Sequence, residues 1–376
     1  MPPRSPGWTI GRLAGAPVIV TRSWLLAAVV LTVLFAPTVR AFAPRMDGIG
    51  VAVVAFAFVL LLFGSVFCHE AAHALTARAR GRRVDEVALT LWGGHTAYSG
   101  TERPGDNALV AVVGPLTNLA LAVAFWLAFQ AQPTMSLPAL LLYAGAFSNA
   151  FVGAFNLLPG LPLDGGQVLS SAVWAATGSR SKGDLVAGWA GRLVGVGVVA
   201  WALLWPVLQG RQADLVTVMW AALIGAFLWS GASAAIRTGQ RRDAVDRLTV
   251  TGLMTPAVVL PRGAAVVDAG RAAAGRGEVA VVVVGDDGAP VGWVDPRAAA
   301  QVPAVQAEGV GIESVLVPFG AAAPVDVDAA GAGLLDHLAR TAGGARVVPV
   351  VGPGGRVVGV LDVARVAAAV RPDARP

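Results

Sequence analysis

The chain has 376 residues, of which 56% are apolar and only 14% are charged, and its formal net charge is +5. A soluble protein carries about 25% charged residues, so this composition excludes an ordinary soluble globular protein and indicates an integral membrane protein. The arginines that carry the positive charge flank apolar stretches, where they set the orientation of membrane spans, so the charge does not indicate a nucleic-acid partner. The single cysteine excludes an internal disulfide.

About six stretches in the N-terminal part are long and apolar enough to cross a lipid bilayer. A helix needs about 20 apolar residues to span the hydrocarbon core. The predicted spans are residues 24–36, 51–78, 109–130, 137–158, 185–207 and 215–236. Pro37 limits the first span, and Arg192 inside the fifth is expected to extend its guanidinium group to the cytoplasmic interface. Residues 1–22 lack the apolar core and the small-residue cleavage site of a signal peptide.

Three arginine clusters predict how these spans are oriented. One cluster precedes the first span, one follows the second and one follows the sixth, and all three are expected on the cytoplasmic side. They are Arg4, Arg12 and Arg22; Arg78, Arg80, Arg82 and Arg83; and Arg237, Arg241 and Arg242. With an even number of spans, both termini then lie in the cytoplasm, and we expect a bacterial plasma membrane.

The second span carries a zinc-binding signature, His69-Glu70-Ala71-Ala72-His73. Residues four apart lie on one face of a helix, so two imidazoles can bind one metal ion while Glu70 reaches its open side. The same pattern also occurs by chance on soluble helices. Here it lies in a span that is otherwise nearly free of ionisable groups, and such groups at membrane depth indicate function.

Asp164 is the predicted third ligand. A catalytic zinc site needs three protein ligands and leaves the fourth position to water. Asp164 is the only charged residue between Asp106 and Arg180, and it lies in a segment, 156–166, that two prolines and three glycines break. Such a break at membrane depth lines an enclosed or wet cavity. One zinc ion per chain would polarise a water and the scissile carbonyl, with Glu70 as the general base.

These motifs resemble those of the site-2 protease family of intramembrane zinc metalloproteases, over roughly residues 8–235. The matching segments are the HExxH motif, Gly114-Pro115-Leu116-Thr117-Asn118, and residues 156–166 with the family's metal-ligating Asp-Gly. The resemblance implies that single-span membrane proteins are cut within or beside their transmembrane helices in regulated proteolysis. It makes Asn118 and Asn156 candidates for residues that support the active site or bind the substrate. Hydrogen bonding between helices is the alternative role for both.

In that family the segment after the catalytic helix forms strands near the active site. Residues 87–98, which include Gly93 and Gly94, are expected to do the same here and to pair with an unwound substrate as an added strand. His95 stands where an apolar residue is expected. A structural role, gating and proton transfer are the alternatives for it.

The composition changes near residue 237, where a linker, 237–247, is predicted to lead into a soluble domain, 248–376. Residues 279–285 and 291–294, joined by Asp286-Asp287-Gly288, predict a strand, a turn and a strand. Residues 346–351 and 357–361 repeat this pattern, and helical segments 296–300 and 362–369 follow the two pairs. A twofold internal repeat is therefore predicted, over about 248–305 and 310–370.

This repeat resembles a pair of CBS modules, with Leu253-Met254-Thr255-Pro256 opening the first module and residues 347–364 closing the second. The resemblance implies regulation of the membrane domain, a homodimer through the modules, and an adenine nucleotide as ligand. The family's ribose-binding Thr/Ser-x-x-Asp is replaced by Asp295-Pro296-Arg297-Ala298 and by Asp362-Val363-Ala364-Arg365, a departure that argues against nucleotide binding.

The sequence thus predicts a polytopic α-helical membrane protein with a small β element near its active site, followed by a soluble α/β tandem CBS domain. Two other function classes are compatible with this architecture. A channel or transporter would place paired charges along a midplane path, and an inactive scaffold would not need Glu70. The single cluster of metal-ligating residues and the intact Glu70 favour the protease.

Overall fold

A computed structural model of the chain describes residues 5–91 and 93–370. These residues divide into two compact units, with the boundary between Gly239 and Gln240. Three parts of the sequence-based predictions lie outside the described residues: Arg4 of the first arginine cluster, residue 92 of the predicted β segment, and residues 371–376 of the predicted C-terminal domain.

Long helices dominate the N-terminal unit. They are α1 Arg22–Phe42, α2 Gly48–Ala79, α3 Pro104–Gln130, α4 Leu137–Asn156, a shorter α5 Asp164–Thr177, α6 Arg180–Leu208 and α7 Leu215–Asp246. Six helices within the described residues, all of these except α5, are long and apolar enough to cross a membrane. The architecture is therefore that of a multi-pass α-helical membrane protein, as the sequence predicts.

The predicted spans differ from the helices mainly at their ends. Pro37 lies inside α1 rather than ending it, because a membrane helix tolerates an interior proline. Residues 237–246, predicted as a linker, continue α7, since charged residues end an apolar stretch without ending a helix. Helix α5 was not predicted, because the prolines and glycines before it gave the whole segment a loop-like composition.

A four-stranded sheet packs against the C-terminal half of α2 and the start of α3. Its strands are β1 Gly7–Leu13, β2 Ala16–Thr21, β3 Arg83–Thr90 and β4 Gly93–Ser99, in the order β1-β2-β3-β4. Val18 pairs with Val87 across β2 and β3, and both are buried against Ala74 and Ala77 of α2. Within this sheet β4 pairs only with β3, so it is an edge strand.

The hairpin of β1 and β2 was not predicted, although its turn has a physical signature. Ala14 and Gly15 both have positive φ, at 52° and 86°, as a two-residue hairpin turn requires. Asn-Gly is the usual signature of such a turn, and Ala-Gly is not, so this hairpin is hard to recognise from sequence.

The irregular segment between α4 and α5 packs against α6 through its backbone. The Leu161 N–H donates to Ala187 O on α6 at 3.0 Å. A Cβ at Gly191 would lie only 1.9 Å from Leu161 O, so glycine is needed where α6 passes this backbone. The segment therefore packs directly on α6 before Asp164 begins α5.

The C-terminal unit contains the predicted twofold repeat. After a short α8 Val250–Leu253, the first copy comprises β5 Thr255–Pro261, α9 Val266–Ala273, β6 Ala280–Val284, β7 Pro290–Val294 and α10 Pro296–Ala300. After β8 Leu316–Pro318, the second comprises β9 Val325–Asp326, α11 Gly331–Thr341, β10 Val347–Val351, β11 Val357–Asp362 and α12 Val363–Ala369. Each copy has a parallel strand–helix–strand step followed by an antiparallel hairpin, in one sheet ordered β8-β7-β6-β5-β11-β10-β9.

Candidate metal centre

Three potential metal ligands come together where α2 meets the start of α5. His69 and His73 lie one turn apart on the face of α2 that contacts α3, and each is 7% exposed. Asp164 is the first residue of α5. A Cβ at Gly165 would lie 2.3 Å from Leu157 O, so the glycine after Asp164 allows α5 to begin directly against the broken segment.

The distances among these side chains fit one tetrahedral ion. Asp164 Oδ2 lies 3.0 Å from His69 Nε2 and 3.6 Å from His73 Nε2. Zinc bonds of about 2.1 Å separate neighbouring ligand atoms in a tetrahedron by about 3.4 Å. Within the described residues, the ligand atoms of this group all lie within 4.8 Å of one another. Two imidazoles and one carboxylate are a donor set typical of catalytic zinc.

A chain of buried amides orients His69. Its Nδ1–H donates to Asn118 Oδ1 on α3, and Asn118 Nδ2 donates to Asn149 Oδ1 on α4 at 2.8 Å. Asn149 Nδ2 in turn donates to Ser65 Oγ and to Gly145 O, each at 2.9 Å. Because Nδ1 holds its proton against Asn118, the lone pair of Nε2 is left for a metal ion.

His73 has the same arrangement with a backbone acceptor. Its Nδ1–H donates to Val110 O at 2.6 Å, which again leaves Nε2 for a metal. Gly114 of α3 passes directly above the two rings. A Cβ there would lie 2.4 Å from His73 Nε2 and 2.6 Å from His69 Nε2, so only glycine allows α3 to approach the ligands this closely.

Glu70 is held next to the ligands by the edge strand β4. Its side chain is buried, and Thr96 Oγ1–H donates to Glu70 Oε2 at 2.8 Å. Oε1 makes no hydrogen bond with another described residue. A Cβ at Gly94 would lie 2.3 Å from Glu70 Cγ, so the glycine leaves the space that the carboxylate occupies.

These groups line a cavity of about 480 Å³, which also reaches Asn156, Gly93 and His95. Asn156 is the last residue of α4 and makes no side-chain hydrogen bond with another described residue. Gly93 has φ +113° at the start of β4. The His95 side chain is half exposed and lies 3.3 Å from Glu86 Oε1 rather than at the ligands.

The structure thus gathers His69, Glu70, His73 and Asp164, with Asn118 behind His69 and Gly94 against Glu70. Asn156 and Gly93 line the cavity, and among the described residues neither is hydrogen-bonded to a candidate ligand. The sequence analysis missed three residues that support this arrangement: Ser65, Thr96 and Asn149. Asn149 and Ser65 had a usable signal, since polar side chains inside apolar spans seek partners, whereas Thr96 is an ordinary strand residue.

The sequence is similar to known zinc metalloproteases. The family model described as Peptidase family M50 matches residues 57–140 and 130–190, which contain Glu70 and the three candidate ligands. The protein sll0528 of Synechocystis sp., provisionally named a zinc metalloprotease, is 30% identical over 261 residues. The alignment covers 68% of this chain and 66% of that protein, a little less than two thirds of its length.

Solved structures resemble each unit. The site-2 protease from Methanocaldococcus jannaschii is 21% identical, with a TM-score of 0.44, over 61% of this chain and 95% of that one. The CBS domain of the bacterial CNNM/CorC family Mg²⁺ transporter is 18% identical, with a TM-score of 0.29, over 40% of this chain and 96% of that one.

Proposed function

The chain belongs to peptidase family M50, and from that premise we propose that it is an intramembrane zinc metalloprotease. It hydrolyses peptide bonds within or next to the transmembrane segments of other membrane proteins. The observation that carries this proposal is the convergence of His69, His73 and Asp164 beside Glu70 at the end of an apolar span. A transporter would not require a general base next to such a ligand set.

The residues around the ligands are arranged for general acid–base chemistry. Zinc held by His69, His73 and Asp164 would lower the pKa of a water and polarise the scissile carbonyl. Glu70 accepts the proton of that water and delivers it to the leaving amide nitrogen. Thr96 holds one oxygen of the carboxylate, which leaves Oε1 for the proton transfer.

Strand β4 is the proposed docking element for single-span membrane-protein substrates. An intact helix keeps its peptide groups bonded within itself, so a scissile bond must be presented in extended form. An extended peptide adds readily to the edge of a sheet. Since Gly94 and Thr96 of β4 both touch Glu70, a peptide paired with β4 lies next to the catalytic base.

We also propose that both termini lie in the cytoplasm.

We propose further that the tandem C-terminal unit forms a homodimer through its modules and regulates proteolysis. If this unit binds an adenine nucleotide despite its altered ribose positions, the candidate site is a cleft of about 560 Å³. At one ribose position Arg365 replaces the usual aspartate and donates to Thr255 Oγ1 at 3.2 Å. Equilibrium dialysis of the full chain against ATP and AMP tests nucleotide binding, and retention of neither nucleotide refutes it.

Substitution of the general base tests the proposed activity. Purified full-length Glu70→Gln is expected to keep about one zinc ion per chain, because Glu70 is not a ligand. Cleavage of a single-span reporter should fall by about 10²–10⁴-fold, the usual contribution of a general base. The reporter is chosen from membrane proteins that co-purify with this variant.

Two further variants complete the test. Asp164→Asn is expected to lose both zinc and activity, whereas Glu308→Gln, at an exposed carboxylate of the C-terminal unit, should change neither. Cleavage by Glu70→Gln at the wild-type rate contradicts the proposed mechanism. Retention of zinc in Asp164→Asn contradicts the proposed ligand set.

A further inference from the structure

One guanidinium group lies inside a membrane-spanning helix without an acidic partner. Arg192 is in α6, and its Nη2 donates to Ser233 Oγ on α7 at 3.0 Å. Its Nε is buried and has no hydrogen-bond partner. No carboxylate in the described ranges 5–91 and 93–370 forms an ion pair with it. A partly buried charge in an apolar span is costly unless it is paired, so an anion from outside the chain would stabilise this guanidinium group.

Two indole rings flank this guanidinium group. The Arg192 Cζ lies 4.7 Å from the ring centroids of both Trp189 and Trp229. The two tryptophans are 56% and 47% exposed, and the neighbouring Leu193 is 72% exposed, so this face of α6 and α7 is turned to lipid. We call Trp189, Arg192, Trp229 and Ser233 the Arg192 cluster.

The Arg192 cluster lies close to the level of the lipid headgroups. Ser233 precedes the exposed Arg237 by one helical turn of α7, about 6 Å along the helix axis. Arg237 marks the end of the apolar part of α7, where the helix leaves the hydrocarbon core. An arginine side chain extends far enough to cover this distance. Tryptophan is likewise typical of this depth in the membrane.

We propose that the Arg192 cluster binds the phosphate of an anionic phospholipid in the adjoining leaflet. A guanidinium group matches the oxygens of a phosphate in a bidentate geometry and is more weakly hydrated than an ammonium group. Basic pockets between transmembrane helices bind anionic headgroups in this way. The two indoles contact the glycerol region and the upper acyl chains, and Ser233 fixes the guanidinium group between them.

Brominated lipids test this assignment, because bromine quenches the fluorescence of tryptophans in contact with it. The full-length protein, in which the nine tryptophans other than Trp189 and Trp229 are replaced by phenylalanine, is placed in phosphatidylcholine nanodiscs that contain either brominated phosphatidylglycerol or brominated phosphatidylcholine. Quenching should show a preference for phosphatidylglycerol in the wild type. Arg192→Gln should reduce that preference by about fivefold, since one basic side chain near an anionic surface contributes about 1 kcal/mol.

Two variants separate lipid binding from a purely structural clamp between α6 and α7. Arg211→Gln removes an exposed charge in the loop between the same helices and should leave the lipid preference unchanged. Ser233→Ala keeps the charge but no longer fixes the guanidinium group, so it should lower Tm and reduce the preference by less than Arg192→Gln does. If Arg192→Gln does not fold, the lipid preference of Ser233→Ala tests the proposal in its place.

Three outcomes overturn the proposal. The first is equal quenching by the two brominated lipids in the wild type, and the second is an unchanged preference in Arg192→Gln. The third is loss of the preference on addition of inorganic phosphate, which assigns the site to a free anion. A raised KM for substrates with an acidic transmembrane residue, together with an unchanged lipid preference in Arg192→Gln, assigns Arg192 to substrate binding instead.

Discussion

Asn149 shows how a residue that touches no ligand determines which atom of His69 faces the metal. Both of its amide hydrogens are taken, by Ser65 Oγ and by Gly145 O. Its oxygen therefore faces the amide of Asn118, which in turn presents its own oxygen to His69 Nδ1. The direction of the whole chain of hydrogen bonds follows from the two acceptors around Asn149.

Asn149→Leu is expected to weaken zinc binding, because it removes the acceptor that fixes the orientation of Asn118. Loss of a residue that orients a ligand typically costs about 10–100-fold in metal affinity, and competition with a chelator measures this. Ser148→Ala is the matched control, since the Ser148 hydroxyl bonds only to Gly145 O of its own helix. Equal zinc affinity in the wild type and Asn149→Leu would show that Asn118 orients His69 without help.

The convergence of His69, His73 and Asp164 was predictable from sequence because their spacing and surroundings carry the signal. Two histidines one turn apart, and one carboxylate in a long uncharged stretch, are unusual in an apolar chain. Thr96 carries no such signal. Its hydroxyl matters only because the register of β3 and β4 brings it to Glu70, and single-strand patterns do not reveal register.

At the scale of elements, the broken segment before α5 positions Asp164. The segment packs on α6 through backbone contacts, with Leu161 against Gly191. Its prolines and glycines predicted a break correctly. They gave no indication of the helix that follows, because the position of Asp164 at a helix start depends on contacts with α6 rather than on local composition.

Gly191→Ala is expected to displace this segment and with it the third ligand. The added Cβ would lie 1.9 Å from Leu161 O, and overpacking of this kind costs about 1–3 kcal/mol. Both Tm and zinc content should therefore fall. Gly197→Ala, in the same helix but with no atom within 4 Å of the added Cβ, should leave both unchanged. Equal behaviour of the two variants would contradict the proposed role of Gly191.

The N-terminal segment is tied to the sheet by an ionised group. Burial opposes ionisation of Glu86, but Ser5 N–H and Oγ–H donate to its carboxylate at 3.1 and 2.7 Å and hold its pKa below the usual 4.5. Because the pKa of Glu86 is lower in the folded than in the unfolded state, ionisation of Glu86 stabilises the fold. This stabilisation is complete above pH 4.5 and is lost as the pH falls through the lowered pKa.

We therefore expect Glu86→Gln to have a lower Tm than the wild type at neutral pH. The difference should shrink as pH falls below 4.5, because the wild type then loses the same charge. Thermal unfolding across this range measures it, and Glu308→Gln, at an exposed carboxylate, serves as the comparison. A Tm difference that stays constant with pH would contradict the assigned role of the ionised carboxylate.

For the whole molecule, the predicted division into a membrane part and a repeated C-terminal part rests on composition and on the period of the repeat. Both signals extend over many residues, so errors at single positions do not alter them. The ends of the elements depend instead on local contacts. For this reason α7 continues past Ile236 and the hairpin at the N-terminus was missed.

Removal of zinc is expected to destabilise the N-terminal unit. A ligand at about 100 times its Kd stabilises the folded state by about 2.7 kcal/mol, which corresponds to a Tm shift of about 5–10 °C for a unit of this size. Thermal unfolding with and without a chelator measures the shift. Asp164→Asn should show no chelator effect, and a full shift in this variant would place the ion elsewhere.

Strand β4 contacts Glu70 on one side and has an unpaired edge on the other. This arrangement affects which membrane proteins would escape cleavage. A bystander helix that diffuses past has no free peptide groups to offer an open strand. It would first have to unravel, and a stably wound helix seldom does so. Discrimination would then depend on how easily a segment loses its helical turns, with glycine-rich or proline-rich stretches most vulnerable, and hardly at all on the side chains that flank the severed bond.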